Sequence, residues 1–387
     1  MKTAIIGGVI ANKYLNGGAV WTRLNWVLGM RKLGFDVYFV EQIDRQNCVN
    51  EQGGISEFEN SSNLDYFKQV MQEFGLARTS ALVYDNGASI HGMSMAELED
   101  LARDADLVLN ITGHLHLPSF MESGACKIYI DLDPGFTQYW YQRGLLDPQF
   151  DRHDLYFTIG EAIGTPACPI PTGGIAWRST RQPVVLDLWP VSGAGDPNRF
   201  TTVASWRDSY GVLQHEGQKL GLKLHEFRKF IELPARVAQV CEIALDIHPG
   251  DESDLELLHR NGWVIADPAR LVPDPGRFRQ YVQHSGAEFS VAKGIYSETK
   301  SGWFSDRTVR YLASGKPALV QDTGFSRTYP VGAGLLAFKT MADAVAGARE
   351  IAQDYDAHCR AARQLAETWF DSDQVLGTMM EQAGVSP

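Results

Sequence analysis

Three stretches of this chain place reactive side chains where an α/β sheet binds its ligands. The first is Thr112-Gly113-His114-Leu115-His116, directly after the apolar run Leu107 to Ile111. An imidazole just past a buried central strand lies on the ligand-binding edge, where His114 or His116 can contact a hydroxyl or carry a proton. The second is Ser301 to Gly324, a glycine-containing loop, an amphipathic helix with Val309, Leu312 and Ala313 inward, and the strand Pro317 to Val320. Ser305, or Ser301 before it, caps that helix, and Gly315 ends it. Free N–H groups at its start form an anion site for which phosphate is the usual guest; the plain alternative is a helix packed on a sheet with a solvated polar face. Arg307 and Arg310 sit on or near its first turns, Asp306 is placed to accept from sugar hydroxyls, and Asp322 and Thr323 follow the strand. The third is the loop from Gly7-Gly8 to Gly17-Gly18, where the second glycine pair opens a helix.

Further candidates stand singly. Lys293 closes the strand Glu288 to Ala292 and suits a diphosphate counterion, and Arg207 leaves the strand Phe200 to Ser205, where it pairs either with phosphate or with a surface acid. Asp131-Leu132-Asp133 spells D-x-D, but Asp133 begins a Pro-Gly turn and no further ligand follows at metal spacing, which favours turn capping or acceptor contacts. Glu161 follows the strand Leu155 to Ile159 either as an acid/base group or as a charge at a helix start. Trp21, Tyr139, Trp140 and Tyr141 suit a sugar platform or a core.

The elements that must position these groups alternate strand and helix. Thr3 to Ile6, the helix carrying Trp21, Leu24, Val27, Leu28 and Leu33, and Val37 to Val40 read as a βαβ unit. A dinucleotide enzyme would begin this way with Glu41 as its ribose acid, but the glycines at 7, 8, 17 and 18 frame a loop too long for G-x-G-x-x-G. Six prolines between Thr165 and Pro197 interrupt regular structure and place a hinge near residue 185. The expected layout is therefore α/β with two Rossmann-like domains, residues 1–185 and 186–365, and residues 366–387 as helices crossing back to the first domain.

Composition narrows the function. With 44% hydrophobic and 21% charged residues the 387-residue chain reads as globular, and a formal net charge of -12 argues against a nucleic-acid partner. Five scattered cysteines without a C-x-x-C pair suit a reducing cytosol, and no segment approaches a membrane span.

The two Rossmann-like halves, the glycine pair, the histidine after a central strand and the late loop, helix and strand together resemble the GT-B glycosyltransferases. The residues carrying this are Gly17-Gly18, His114, Arg207, Lys293 and Ser301 to Gly324, where Leu312-Ala313-Ser314-Gly315-Lys316-Pro317 is similar to the family's A-x-G-x-P segment. Retaining members carry two glutamates where this chain has Ser301 or Gly302 and Arg310, which leaves Asp306 as the substitute ribose acid. The resemblance implies sugar transfer from a nucleoside diphosphate sugar to a hydroxyl or amine acceptor, with no metal and no other cofactor. It implies a donor site of Gly17, Gly18, Arg207, Lys293, Ser305, Asp306, Arg307, Asp322 and Thr323. It also implies acceptor contacts from His116, Asp133 and Trp140, with His114 or Glu161 nearest the reacting hydroxyl. A nucleotide-sugar epimerase and a non-catalytic nucleotide-sugar-binding protein are the alternatives.

Overall fold

A computed structural model describes residues 2–207, 211–215 and 217–386. Among these, the N-terminal sheet has eight strands in the spatial order Ser89–Gly92, Ser80–Tyr84, Asp36–Ile43, Thr3–Gly7, Leu107–Ile111, Cys126–Asp131, Leu155–Thr158 and Arg178–Ser179. All pair in parallel except the hairpin of Ser80–Tyr84 with Ser89–Gly92. The second sheet runs Val264–Ala266, Val240–Asp246, Arg199–Ser205, Ala287–Ser290, Ala318–Gln321 and Leu335–Phe338, all parallel. Parallel strands buried on both faces by helices are continuous apolar runs, which is why Leu107–Ile111 and Ala318–Gln321 are buried throughout.

Each sheet reverses its winding once. In the first the switch lies between Thr3–Gly7 and Leu107–Ile111, and in the second between Arg199–Ser205 and Ala287–Ser290. A crevice opens beyond the strand ends at such a point, so His114 leaves the first switch and Lys293 the second.

The connection differs from an open hinge. One apolar cluster runs without a break from Trp21, Trp26 and Phe67 through Trp189 and Phe278 to Val309, Leu312 and Leu376. The helix Gly17–Lys32 docks on the helix Pro275–Gln283, with the Trp21 indole Nε1 donating to the Pro275 carbonyl at 2.8 Å. From the helix Ser62–Glu73, the Tyr66 hydroxyl donates to the Pro273 carbonyl at 2.8 Å. The last helix, Ser372–Ala383, packs on Gly17–Lys32, where a Cβ on Gly29 would come within 2.6 Å of Leu376.

Two sequence expectations shift. The helix expected over Leu224 to Ile231 is a short α-turn, Lys223–Phe227, followed by a 3₁₀ turn, Arg228–Phe230. The strand expected over Val331 to Phe338 is Leu335–Phe338, because two left-handed glycines, Gly332 and Gly334, keep the preceding residues in a turn.

Candidate active site in the interdomain cleft

A cleft of about 800 Å³ lies between the two domains, against the carboxyl ends of both sheets. Its N-terminal wall starts from a clamped turn. Glu41, buried within the strand Asp36–Ile43, accepts from the backbone N–H groups of Ile10, Ala11 and Asn12 at 2.7 to 2.9 Å and from the Asn12 amide at 3.1 Å. Burial pushes the Glu41 carboxyl up to about 7 against the pull of those donors. The acid considered for a ribose is thus a clip that fixes the turn Ala11–Lys13.

The histidine loop is equally fixed. The Asn110 amide binds both the N–H and the carbonyl of Leu115 at 2.9 Å, and it stands 3.2 Å from His153 Nε2. Thr112 and Gly113 take left-handed φ values of 55° and 69°, a costly conformation for the β-branched Thr112. The turn presents His114 beside Arg23, His116 and Lys13. Desolvation, with those three neighbours, holds the His114 imidazole well below its ordinary value, so it is neutral and able to accept a hydrogen bond. His116 is exposed beside it, its N–H bound to the Gln42 side chain at 2.6 Å.

Asp131 and Asp133 have opposite fates. Asp131 is fully buried and accepts from Thr137, Gln138 and Thr158 at 2.7 to 2.8 Å and from the Asp133 N–H at 3.0 Å, so it shapes the loop from inside. Asp133 lines the cleft, 3.9 Å from Lys293 and 3.4 Å from the Tyr296 hydroxyl of the opposite wall. Among the described residues no three His, Cys, Asp or Glu side chains gather as a metal site.

On the C-terminal wall, the strand exits Val203 to Ser205, Leu245 to Ile247 and Ile265 to Asp267 line the cleft. Lys293 caps the short helix Gly294–Thr299, its ammonium 4.9 Å from the Phe136 ring centre and 5.7 Å from that of Tyr296. Tyr296 stacks on Trp303 with centroids 4.4 Å apart, and both rings line the cleft. Tyr296 is only 1% exposed, so Trp303 is the more open ring of the pair; Trp140 packs against Phe136 in the same apolar cluster, and Trp21 is core.

The helix Asp306–Ala313 begins at this wall, with Ser305 Oγ accepting from the Arg307 N–H at 3.3 Å. Its side chains are committed inward. The Arg307 guanidinium donates to the fully buried Glu288 at 2.5 Å, to the Val203 carbonyl at 2.7 Å and to Ser290 at 2.8 Å. The Arg310 side chain, 1% exposed, pairs with Asp306 and donates to Thr22 Oγ1 at 3.0 Å and the Gly18 carbonyl at 3.2 Å. Thr22 in turn donates to Asp306 at 2.6 Å. Burial alone would raise the Asp306 carboxyl, but Arg310, Thr22, Arg307 and Arg23 outweigh it and hold Asp306 below the usual carboxylate range. The residue standing where the resemblance expects a glutamate is therefore one half of a clasp between the domains.

Gly18, Asp133, Lys293, Ser305, Asp306 and Arg307 line the cleft together, with His114 and His116 at the adjacent strand exit. The remaining candidates lie elsewhere, each for a visible reason. Gly17 is buried against the second domain, where a Cβ would sit 2.1 Å from the Asp274 carbonyl oxygen. Arg207 forms a two-pronged pair with Asp251, which the sequence could not foresee because 44 residues separate them. Glu161 faces away from the cleft, its carboxylate bonded to Tyr329 and 3.4 Å from Arg181, and Arg181 stacks on Tyr329 and Trp369. Asp322 caps its own turn through the Gly324 N–H at 2.9 Å and pairs with Lys339 at 3.3 Å, while Thr323 is buried and bonded to the Trp303 carbonyl. Sequence reading passed over Arg23, Thr22, Tyr296 and Trp303. The first two share a face of the helix Gly17–Lys32 with Gly18 and Ala19 at spacings of three to five, which was the available signal.

No protein-family model matches the chain, and no curated protein matches it by sequence. Solved structures do. An α-glucosyltransferase in complex with UDP and a 13-mer DNA containing an A:G mismatch superposes with a TM-score of 0.62 at 11% identity, covering 99% of this chain and 100% of the other. Anabaena Alr3699/HepE in complex with UDP-glucose gives 0.58 at 10% identity, covering 99% and 100%. Sucrose-phosphate synthase from Thermosynechococcus elongatus gives 0.55 at 11%, covering 98% and 99%. At this identity the likeness establishes architecture: the chain has the GT-B fold, two Rossmann-like domains facing each other across a cleft.

Proposed function

We propose that this protein is a glycosyltransferase that moves a sugar from a nucleoside diphosphate sugar to a hydroxyl or amine acceptor. The observation that carries the reading is the cleft itself, open to the switch-point crevices of both sheets, with Lys293 leaving one and His114 the other. The wall at Ile247, Ile265 and Ala266 takes the nucleobase, and Asp306 is the carboxylate nearest its ribose. Breaking the bond from the anomeric carbon to the diphosphate leaves negative charge on the phosphate as the carbon becomes cationic. Lys293 and the two helix starts supply the opposing field, so this reading needs no metal. Trp303, half-buried at the cleft wall, offers ring surface to the sugar, and neutral His114 is placed to accept a hydrogen bond from the acceptor hydroxyl. A small molecule or glycan suits a chain of net charge -12 better than nucleic acid does. Five free cysteines support a cytosolic setting, and no described helix is long and apolar enough to cross a membrane.

The test is thermal stabilisation by UDP, TDP, GDP and NAD, followed by donor hydrolysis and transfer assays on whichever nucleotide binds. Complexes of similar folds with UDP and UDP-glucose make uridine the first base to try. Stabilisation by a nucleoside diphosphate with turnover of its sugar is the expected outcome. No stabilisation by any nucleoside diphosphate removes the proposal. Isomerisation without an acceptor would replace it with an epimerase, and binding without turnover with a carrier.

A further inference from the structure

The cleft wall of the second domain is completed by backbone of the first. Beyond the strand Leu155–Thr158 the chain runs antiparallel to the loop that leads into the helix Asp306–Ala313. Gly160 and Trp303 form a bridge there, and the Ala162 N–H donates to the Ser301 carbonyl at 2.9 Å. On its other side the same loop is bound at a strand exit of its own domain. The Gly302 N–H donates to the Thr323 carbonyl at 2.9 Å, and the Thr323 hydroxyl donates to the Trp303 carbonyl. Only glycine fits between the two, because Gly302 has a φ of 77° and a Cβ would stand 3.0 Å from the Ala162 nitrogen. The backbone that carries the Trp303 ring into the cleft is thus pinned from both sides.

Glu161 sits in the middle of that pairing. Its side chain, 12% exposed, accepts from the Tyr329 hydroxyl and stands 3.4 Å from Arg181. Tyr329 is buried and packs on Phe304, the residue after Trp303, with ring centroids 5.1 Å apart. Phe304 also stacks on Phe370 at 5.2 Å, and Arg181 lies over Tyr329 and Trp369 at 5.6 and 5.0 Å. Ring packing is non-directional, whereas a hydrogen bond to a carboxylate fixes both distance and angle. The carboxylate therefore sets the register between the first domain's strand exit and the loop, which the rings alone would leave free to slide.

Resting on the glycosyltransferase reading, we infer that Glu161 is a positioning residue for the donor sugar: it holds the loop 301–304, and with it the Trp303 ring, against the cleft. It touches no reacting atom, because its carboxylate faces Tyr329 and Arg181 on the side away from the cleft. The first domain thereby shapes the sugar pocket of the second. Glu161→Ala removes the acceptor for the Tyr329 hydroxyl, whereas Glu161→Gln keeps it.

The full-length protein is labelled with 5-fluorotryptophan, and Trp303→Phe identifies the Trp303 resonance. Glu161→Ala is expected to shift or broaden that resonance in the free protein while tryptophans outside the Trp303 and Trp369 corner keep theirs. Calorimetry then compares UDP, TDP and GDP with their glucose conjugates. Glu161→Ala should weaken the conjugate that binds by about five-fold or more and its nucleoside diphosphate by less than about two-fold, and Glu161→Gln should restore most of the conjugate's affinity. Tyr329→Phe removes the hydroxyl alone, should reproduce the resonance shift, and reports even if Glu161→Ala folds poorly. The inference is overturned if the Trp303 resonance is unchanged in both variants, or if nucleotide and conjugate weaken by the same factor. If no nucleoside diphosphate binds, the glycosyltransferase reading fails separately, and the fluorine spectrum of the free protein still decides whether Glu161 sets Trp303.

Discussion

Two helices start at the cleft, one from each domain, and they treat their free N–H groups differently. Gly17–Lys32 is capped by Asn16, whose side chain accepts from the Ala19 N–H at 2.9 Å, and carries no acid in its first turn. Asp306–Ala313 is capped by Ser305 and opens with Asp306, whose carboxylate already sits at the positive end of the helix. An anion reaching the second helix competes with a resident carboxylate, whereas the first helix has no acid in its first turn and its Gly17 N–H is bound to the Val272 carbonyl. Both arginines of the second helix are bound to carboxylates beside them, while Arg23 on the first helix and Lys293 at the strand exit also line the cleft, Lys293 at 3.9 Å from Asp133.

The comparison can be broken at four points. The largest effect is expected from the clasp: Arg310→Met strands Asp306 next to Thr22 and should cost about 4 kcal/mol of unfolding free energy, as for other broken buried pairs. Adding Asp306→Ala should recover part of that loss, and a double-mutant cycle by urea denaturation reads the coupling. Strict additivity of the two changes would mean the clasp carries no energy.

Next comes the glycine pair. Gly17→Ala drives a methyl into the Asp274 carbonyl and should cost about 3 kcal/mol by overpacking, while Gly18→Ala meets the edge of the Phe278 ring at 2.8 Å and should cost roughly half as much. Equal melting temperatures for the two variants would show that the domain interface adjusts freely.

A third contrast sets Lys293 against Arg307. Lys293→Met should weaken nucleoside diphosphate binding by about 2 kcal/mol, roughly thirty-fold, with little change in folding. Arg307→Met should do the reverse and lower stability, since it leaves Glu288 buried without its charge partner. Isothermal titration alongside denaturation separates the two, and the opposite pattern would return Arg307 to the donor site.

The smallest effect is one of pH. Because the folded Glu41 carboxyl lies near 7 and its ordinary value near 4.5, its contribution is complete below pH 4.5 and is lost as pH rises through 7. The stability advantage of the native protein over Glu41→Gln should therefore shrink between pH 5 and 7, by about 1 kcal/mol per pH unit at most. An advantage that stays constant over that range would mean the four donors hold Glu41 ionised.

Much of the architecture was legible in the chain because parallel strands and their covering helices are written locally. The strand Leu107–Ile111 and the Ser94 capping box of the helix Met95–Asp104 are each set by residues within a few positions of one another. The candidate site was legible where position along the chain sets placement, as for His114 and Lys293, each a polar residue leaving a buried strand at a sheet's switch point. Arg207, Glu161 and Asp322 had equally suitable residue types, but partners such as Asp251, Tyr329 and Lys339 hold them away from the cleft, and Glu288 turns the guanidinium of Arg307 inward at its wall.

The sequence by itself determined two doubly wound domains and the edges at which ligands bind, because hydrophobic periodicity and glycine or serine at element ends act over one or two turns of chain. Only the tertiary structure decided which charges face the cleft. Asp306 and Arg310 lie one helical turn apart but close their clasp on Thr22 and Gly18, more than 280 residues earlier in the chain. A charge spends its interaction on whichever partner packing brings within about 3 Å, and that choice belongs to the assembled fold.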